Sequence, residues 1–306
     1  MSNLQIDFCG QQLQNPIITA SGTFSARGSG SFYDFSRLGA VTSKGVAIDP
    51  WPGNPTPRVA ETRSGMLNSI GLENPGAVRF IAEELPVIKN GIGGSGTKII
   101  ANLAGRTIEQ YVEVARLLDA ADVDMLELNI SCPNVKEGGV AFGTSPQVAA
   151  KVTEEVRRVV AKPLIVKLSP NVTDICEIAK AVEAAGADAI SMINTLTGMR
   201  IDVKNRRHIL ANKVGGLSGP AVLPVAIRMV YQVSGAVKIP ILGMGGVMTG
   251  EDAAEFLMVG ASAVAVGTAA LVDPTAPVRI LDELSDFMDK HGFADIQAIK
   301  EVRHGL

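Results

Sequence analysis

Eight short runs of apolar, largely β-branched residues recur along this 306-residue chain, at 16–20, 40–46, 98–103, 125–130, 164–168, 189–194, 239–243 and 263–266. Several are apolar almost throughout, which a strand covered on both faces requires. Helical patterns lie between most of them, at 108–120, 145–160, 174–185, 220–233, 251–258 and 277–290. Thr107 predicts a side-chain cap for the first of these helices, Ser145-Pro146 a cap with proline at the first helical position, and Gly186 a C-terminus. Strand and helix alternating eight times predict a (β/α)8 barrel of the α/β class, with an open doubly wound sheet as the structural rival. No Pro/Ser linker or composition shift divides the chain, so 1–306 reads as one domain.

Composition agrees and excludes several function classes. Apolar residues make up 46% and aromatics 4%, with 32 glycines, a balance that suits an Ala/Val/Ile-rich α/β protein with many tight turns. The net charge of −3 and the lack of a basic stripe argue against nucleic-acid binding; Arg157-Arg158 and Arg206-Arg207 read as solvated faces, and His208 as a surface residue. No apolar run is long enough to span a membrane, and the first ten residues do not read as a signal peptide. The three cysteines, Cys9, Cys132 and Cys176, have no metal-ligand spacing. They predict no disulfide framework, no metal or iron–sulfur cluster on this chain, and a reducing, cytoplasmic setting. Gly91-Ile92-Gly93-Gly94-Ser95-Gly96 fits a dinucleotide-binding pattern, but it follows a predicted helix and precedes a strand, the reverse of what that fingerprint needs.

Two connections break the rhythm, at about 48–76 and 195–219. Both follow strands, so in a barrel they lie at the C-terminal face, where active sites sit. Around the same face the last two strands end in Gly243-Met244-Gly245-Gly246 and Val266-Gly267-Thr268. Glycines there let backbone N–H groups approach a phosphate, and a helix opening at Thr249-Gly250-Glu251-Asp252 would add its dipole. Ser218-Gly219-Pro220 offers a third set of N–H groups. Lys44, Asn102, Asn129, Lys167 and Asn194 fall at or near other strand ends. Two lysines in apolar strands need either buried ion pairs or an anionic ligand, and their convergence with asparagines favours the ligand. A flavin suits such a set, with phosphate at one end and a lysine beside the ring's pyrimidine edge. Cys132, in Ile130-Ser131-Cys132-Pro133-Asn134 with Gly138-Gly139 downstream, is placed to act as a proton-abstracting base beneath a flap. Cys9 and Cys176 read as structural.

These segments resemble the dihydroorotate dehydrogenase family. The resemblance rests on Asn68-Ser69-Ile70-Gly71-Leu72-Glu73-Asn74, Leu128 through Asn134, Ile193-Asn194-Thr195 and Gly243 through Gly246, and runs in order over essentially the whole chain. It implies an FMN-dependent oxidation of dihydroorotate to orotate in pyrimidine synthesis. Cys132 would take the C5 proton while hydride leaves C6. Lys44, Asn68, Ser69, Ile70, Gly71, Leu72, Asn129, Asn194 and Thr195 would hold the substrate. Ser21, Lys44, Gly45, Asn102, Asn129, Lys167, Ile193, Gly219, Gly245, Gly246, Gly267 and Thr268 would hold FMN. Cysteine at the base position resembles the soluble class. Segments 132–139 and 215–220 resemble its NAD-linked kind, in which a partner subunit carries FAD and a [2Fe–2S] cluster in a heterotetramer built around a catalytic homodimer. An exposed apolar patch beside the flavin edge is then expected for that partner. The alternatives are a fumarate-reducing homodimer, another FMN barrel reductase acting on pyrimidines, or a barrel that only binds a phosphorylated ligand.

Overall fold

The computed structural model describes residues 2–131 and 142–305. Eight parallel strands close into a barrel: β1 (Ile17–Thr19), β2 (Ala40–Thr42), β3 (Lys98–Leu103), β4 (Met125–Asn129), β5 (Leu164–Lys167), β6 (Ala189–Met192), β7 (Ile241–Met244) and β8 (Ala263–Val266). Their order around the barrel follows the sequence, so the closed (β/α)8 architecture is the one expected and the open sheet is ruled out. Nearly every strand residue is buried, because helices cover the outside and side chains fill the inside.

The outer helices present one apolar stripe each. Ile108–Ala120 buries Tyr111, Val114, Ala115 and Leu118, three to four residues apart. Its cap is Thr107, whose side chain accepts from the Gln110 N–H. Pro146–Arg157 has Ser145 at the cap position and proline in its first turn, yet the Ser145 hydroxyl donates to Gln147 Oε1 at 2.9 Å rather than capping the backbone. Ile175–Ala184 ends ahead of Gly186, whose φ of +95° suits glycine. The glycine-rich stretch at 91–96 joins the helix Leu85–Ile92 to β3, as a loop of the wrong polarity for a dinucleotide site.

Ahead of β1, strands Ile6–Phe8 and Gln11–Leu13 form a hairpin that sends Phe8 and Leu13 into the core. Its turn, Cys9-Gly10, has positive φ at both residues, the signature of a tight two-residue connection.

The two long connections are not irregular loops. Val59–Thr62 and Gly65–Asn68 come from the first, Leu196–Met199 and Val214–Ser218 from the second. They pair as one four-stranded antiparallel sheet in the order 196–199, 214–218, 65–68, 59–62. Gly216 lies opposite both Thr197 and Asn68 in register. A Cβ on Gly216 would fall 2.0 Å from Thr195 Oγ1, so only glycine lets these strands approach. Ile201–Asp202 and Arg207–His208 extend the second connection as a small ribbon, on which His208 is exposed as expected.

Candidate active site

The strand ends and this sheet enclose a cavity of about 480 Å³, within the range of small-molecule sites. Each wall residue comes from a definable piece of backbone. Ser21 and Gly22 follow β1, and Lys44 and Gly45 follow β2. Backbone bonds from Ser43 to Ile100 and from Val46 to Asn102 continue the ladder on either side of Lys44-Gly45. Gly22, with φ of +84°, lies against Lys44: a Cβ there would sit 3.1 Å from the ammonium nitrogen. Asn129 ends β4, Lys167 ends β5, and Ile193, Asn194 and Thr195 follow β6 across a cis Met192–Ile193 peptide.

The glycine turns form the other end of the cavity. Gly245 and Gly246 have φ of +127° and +86°, Gly219 has +96°, and all three line the wall with Gly267 and Thr268. The Thr268 hydroxyl donates to Ser218 Oγ at 2.8 Å, joining the turn after β8 to the capping sheet. The helix Gly250–Met258 does not contribute as expected. Thr249 and Asp252 close a capping box, Gly250 N–H donates to Glu283, and the wall stops at Met248. The Gly250 and Asp252 N–H groups already bond to side chains of the protein, and Glu251 and Asp252 occupy the first turn, so its dipole is already matched to side-chain anions.

Of the residues expected to bind substrate or cofactor, Ser21, Lys44, Gly45, Asn68, Ile70, Gly71, Leu72, Asn129, Lys167, Ile193, Asn194, Thr195, Gly219, Gly245, Gly246, Gly267 and Thr268 all meet at this one cavity. Two lie behind the wall. Asn102 is buried completely beneath it, donating to Glu127 and accepting from Asn129 Nδ2 at 3.5 Å. Ser69 is buried where the two connections meet, its hydroxyl accepting from Asn54 at 3.0 Å and from Asn212 at 3.2 Å. Cys132 lies outside the described residues. Ser131, just before it, donates to Asn129 Oδ1 at 2.8 Å and accepts from the Asn194 amide. Those bonds tie three polar groups together on the β4 and β6 side of the cavity.

Glu127 was not anticipated from the sequence. It lies within β4 between two leucines, and its side chain pairs with Lys167 at 3.8 Å. The cost argument that singled out the lysines applies equally to a carboxylate in an apolar strand, and would have found it. The described wall carries Lys44 and Lys167 and no acidic residue, which suits an anionic ligand. Val59 and Leu271 expose apolar surface on the cavity rim, and Val272 continues it outward at 73% exposure. Among the described residues no His/Cys/Asp/Glu cluster could hold a metal ion, and no helix is long and apolar enough to cross a membrane. Cys9 and Cys176 are partly buried thiols outside this wall; burial pushes the pKa of both up, which makes them poor thiolates.

The sequence matches the family model described as dihydroorotate dehydrogenase over residues 3–288. It is similar to three proteins each named dihydroorotate dehydrogenase B (NAD(+)), catalytic subunit. The one from Alkaliphilus metalliredigens (strain QYMF) is 56% identical over 305 residues, covering 99% of each chain. That from Halalkalibacterium halodurans is 56% identical over 301 residues, 98% of this chain and 97% of its own. That from Geobacillus kaustophilus (strain HTA426) is 57% identical over 298 residues, 97% of this chain and 94% of its own.

Proposed function

The chain belongs to the dihydroorotate dehydrogenase family, and from that premise we propose that it catalyses FMN-dependent oxidation of dihydroorotate to orotate in pyrimidine synthesis, with NAD as final acceptor. The observation that carries the reading is the convergence of two lysines, three asparagines and three glycine turns on one cavity without an acid on its described wall.

The residues fit FMN. A phosphate needs close backbone approach, and Gly267 supplies it: a Cβ there would meet no protein atom nearer than Ala20 Cβ at 3.4 Å, itself on the wall. Gly219, Gly245, Gly246 and Thr268 complete that end, and Ser21, Gly45, Asn129, Lys167 and Ile193 would hold the ring system. When bound, FMN supplies a two-electron hydride acceptor. Lys44 supplies a cation for the substrate carboxylate side, and Asn68, Asn129, Asn194 and Thr195 supply amide and hydroxyl groups that both donate and accept. Ile70, Gly71 and Leu72 shape the wall beside them. Gly71 has φ of +78° and no room for a Cβ against Asn54, which fixes how this segment turns into the cavity. Cys132 is the base that removes the C5 proton as hydride departs from C6.

Beyond this chain, the reading includes a partner subunit carrying FAD and a [2Fe–2S] cluster, docked across the apolar rim at Val59, Leu271 and Val272, in a heterotetramer around a catalytic homodimer in the cytoplasm. The word "subunit" in the relatives' names supports a partner, and the exposed apolar rim supports its place.

The test is direct. Purified protein reconstituted with FMN is mixed anaerobically with dihydroorotate. Loss of the oxidised flavin absorbance at a stoichiometry of one is expected, and no bleaching would remove the assignment. Co-purification from the native host is expected to show FAD and iron–sulfur absorbance; a lone homodimer that reduces fumarate rapidly would contradict the NAD-linked part.

A further inference from the structure

We propose that Glu127 is a positioning residue that holds Lys167 and balances its charge beneath the flavin, a role that rests on the FMN reading above. Glu127 does not reach the cavity wall, whereas Lys167 and Asn129 do. It lies one layer deeper, 1% exposed; Ser191 and Asn102 are as enclosed, and Lys167 is buried but for its edge on the cavity. Its Oε1 accepts from Ser191 Oγ at 2.6 Å, its Oε2 accepts from Asn102 Nδ2, and Lys167 Nζ stands 3.8 Å from Oε2.

The register explains why these four groups meet. Asn102 of β3 is opposite Glu127 of β4, Asn129 of β4 is opposite Lys167 of β5, and Lys167 is opposite Ser191 of β6. Four consecutive strands thus contribute to one buried network. A carboxylate at such a place costs more than an apolar residue of like size would, so fold stability alone does not account for it. Its geometry does suggest a use. At 3.8 Å the ammonium is close enough to be neutralised but beyond hydrogen-bonding distance, so Glu127 offsets the charge of Lys167 without engaging its N–H donors. The two neutral donors, Ser191 and Asn102, fix the carboxylate, and the carboxylate fixes the position of the cation at the floor of the cavity. The layer is neutral as a pair; removal of Glu127 leaves one uncompensated positive charge under the ring, which favours reduced, anionic flavin.

The experiment is a double-mutant cycle with Glu127→Gln, Lys167→Gln and both together, read by the flavin midpoint potential and by thermal unfolding of the FMN-free proteins. In Glu127→Gln the reduction equilibrium is expected to move toward reduced flavin by about tenfold or more, about 30 mV for a two-electron couple. Glu127→Asp, which keeps the charge, is expected to restore the potential. An FMN-loaded Glu127→Gln protein with the wild-type potential overturns the proposal, because a purely structural carboxylate would lower the unfolding temperature and leave the potential in place. The FMN-free arm decides even if the single variant binds no flavin. The double variant is expected to unfold at a higher temperature than either single variant, since it leaves no lone buried charge; a double variant no more stable than the weaker single one refutes the pairing. Wild-type protein that takes up no FMN overturns both this role and the flavin reading, whereas failure in the FMN-free arm alone overturns only the role of Glu127.

Discussion

Replacing Gly246 and Gly267 by alanine separates what the glycine turns do for the fold from what they do for the ligand. At Gly246, φ of +86° is a conformation that costs an L-residue about 1–2 kcal/mol. The new Cβ would also lie 2.7–2.8 Å from Leu223 N, Cα and Cβ, mostly backbone at the start of the helix Leu223–Ser234, which cannot swing aside. Overpacking of that kind costs about 1–3 kcal/mol. The sum, about 2–5 kcal/mol, divided by an unfolding entropy of about 2.1 cal/mol/K per residue over the whole chain, lowers the FMN-free Tm by about 3–8 °C. At Gly267 φ is −115° and the methyl meets only Ala20 and Thr23, both on the cavity wall. Gly267→Ala is therefore expected to unfold within about 2 °C of wild type by the same conversion. Its FMN dissociation constant is expected to rise about tenfold or more, the loss of roughly one hydrogen bond to a charged group. Calorimetry on FMN-free protein removes the stabilisation that bound ligand would add. Fluorescence titration with FMN then gives the affinities. A Gly246→Ala protein as stable as wild type would refute the steric argument, and wild-type FMN affinity in Gly267→Ala would remove that residue from the cofactor site.

Cys132→Ala is expected to keep FMN, with an unchanged visible spectrum, while turnover falls by roughly 10²–10⁴-fold, the usual contribution of a general base; unchanged turnover would strike Cys132 from the mechanism. Lys300, partly buried against Ser262, has its pKa lowered by desolvation. The unfolded chain therefore holds more protons than the folded one between that lowered pKa and the ordinary 10.5, and the contribution of Lys300 to stability is present above 10.5 and lost as pH falls through the folded value. Lys300→Met should accordingly gain most over wild type near neutral pH and lose that advantage toward pH 10.5 in Tm measurements; a constant difference would contradict the burial argument.

The barrel was legible because its strands are bounded chemically. β3 and β8 occupy the expected residues, since each is a mainly apolar run closed within two residues by a glycine. β2 is shorter than its apolar pattern because Lys44-Gly45 leaves the ladder to reach the cavity, a departure that periodicity does not register. The capping sheet was not legible as strands. Val214-Gly215-Gly216-Leu217 has the composition of a turn, and it is a strand only because Asn68 and Thr195 crowd it from either side. Such pairing depends on contacts between segments more than a hundred residues apart. Lys44, Lys167 and the asparagines were found by asking which polar groups an apolar strand cannot bury alone. Asn102 is assigned to the ligand by its strand-end position as well as by resemblance, and Ser69 by resemblance alone; neither signal distinguishes a residue facing the ligand from one supporting the residue that does. The helix at Gly250 departs from the expectation because its own Thr249 and Asp252 form a capping box that supplies acceptors at its N-terminus.

Gly216 lies beside Asn68 in one lattice of backbone hydrogen bonds, although about 150 positions separate them along the chain. Transplanting either connection by itself into a sister barrel would therefore leave the other with its own hairpin pairing but without the ladder that joins 65–68 to 214–218. Any exchange of ligand preference between such barrels has to carry 59–68 and 196–218 as a single cassette, and variation in one is constrained by the other before it meets any ligand.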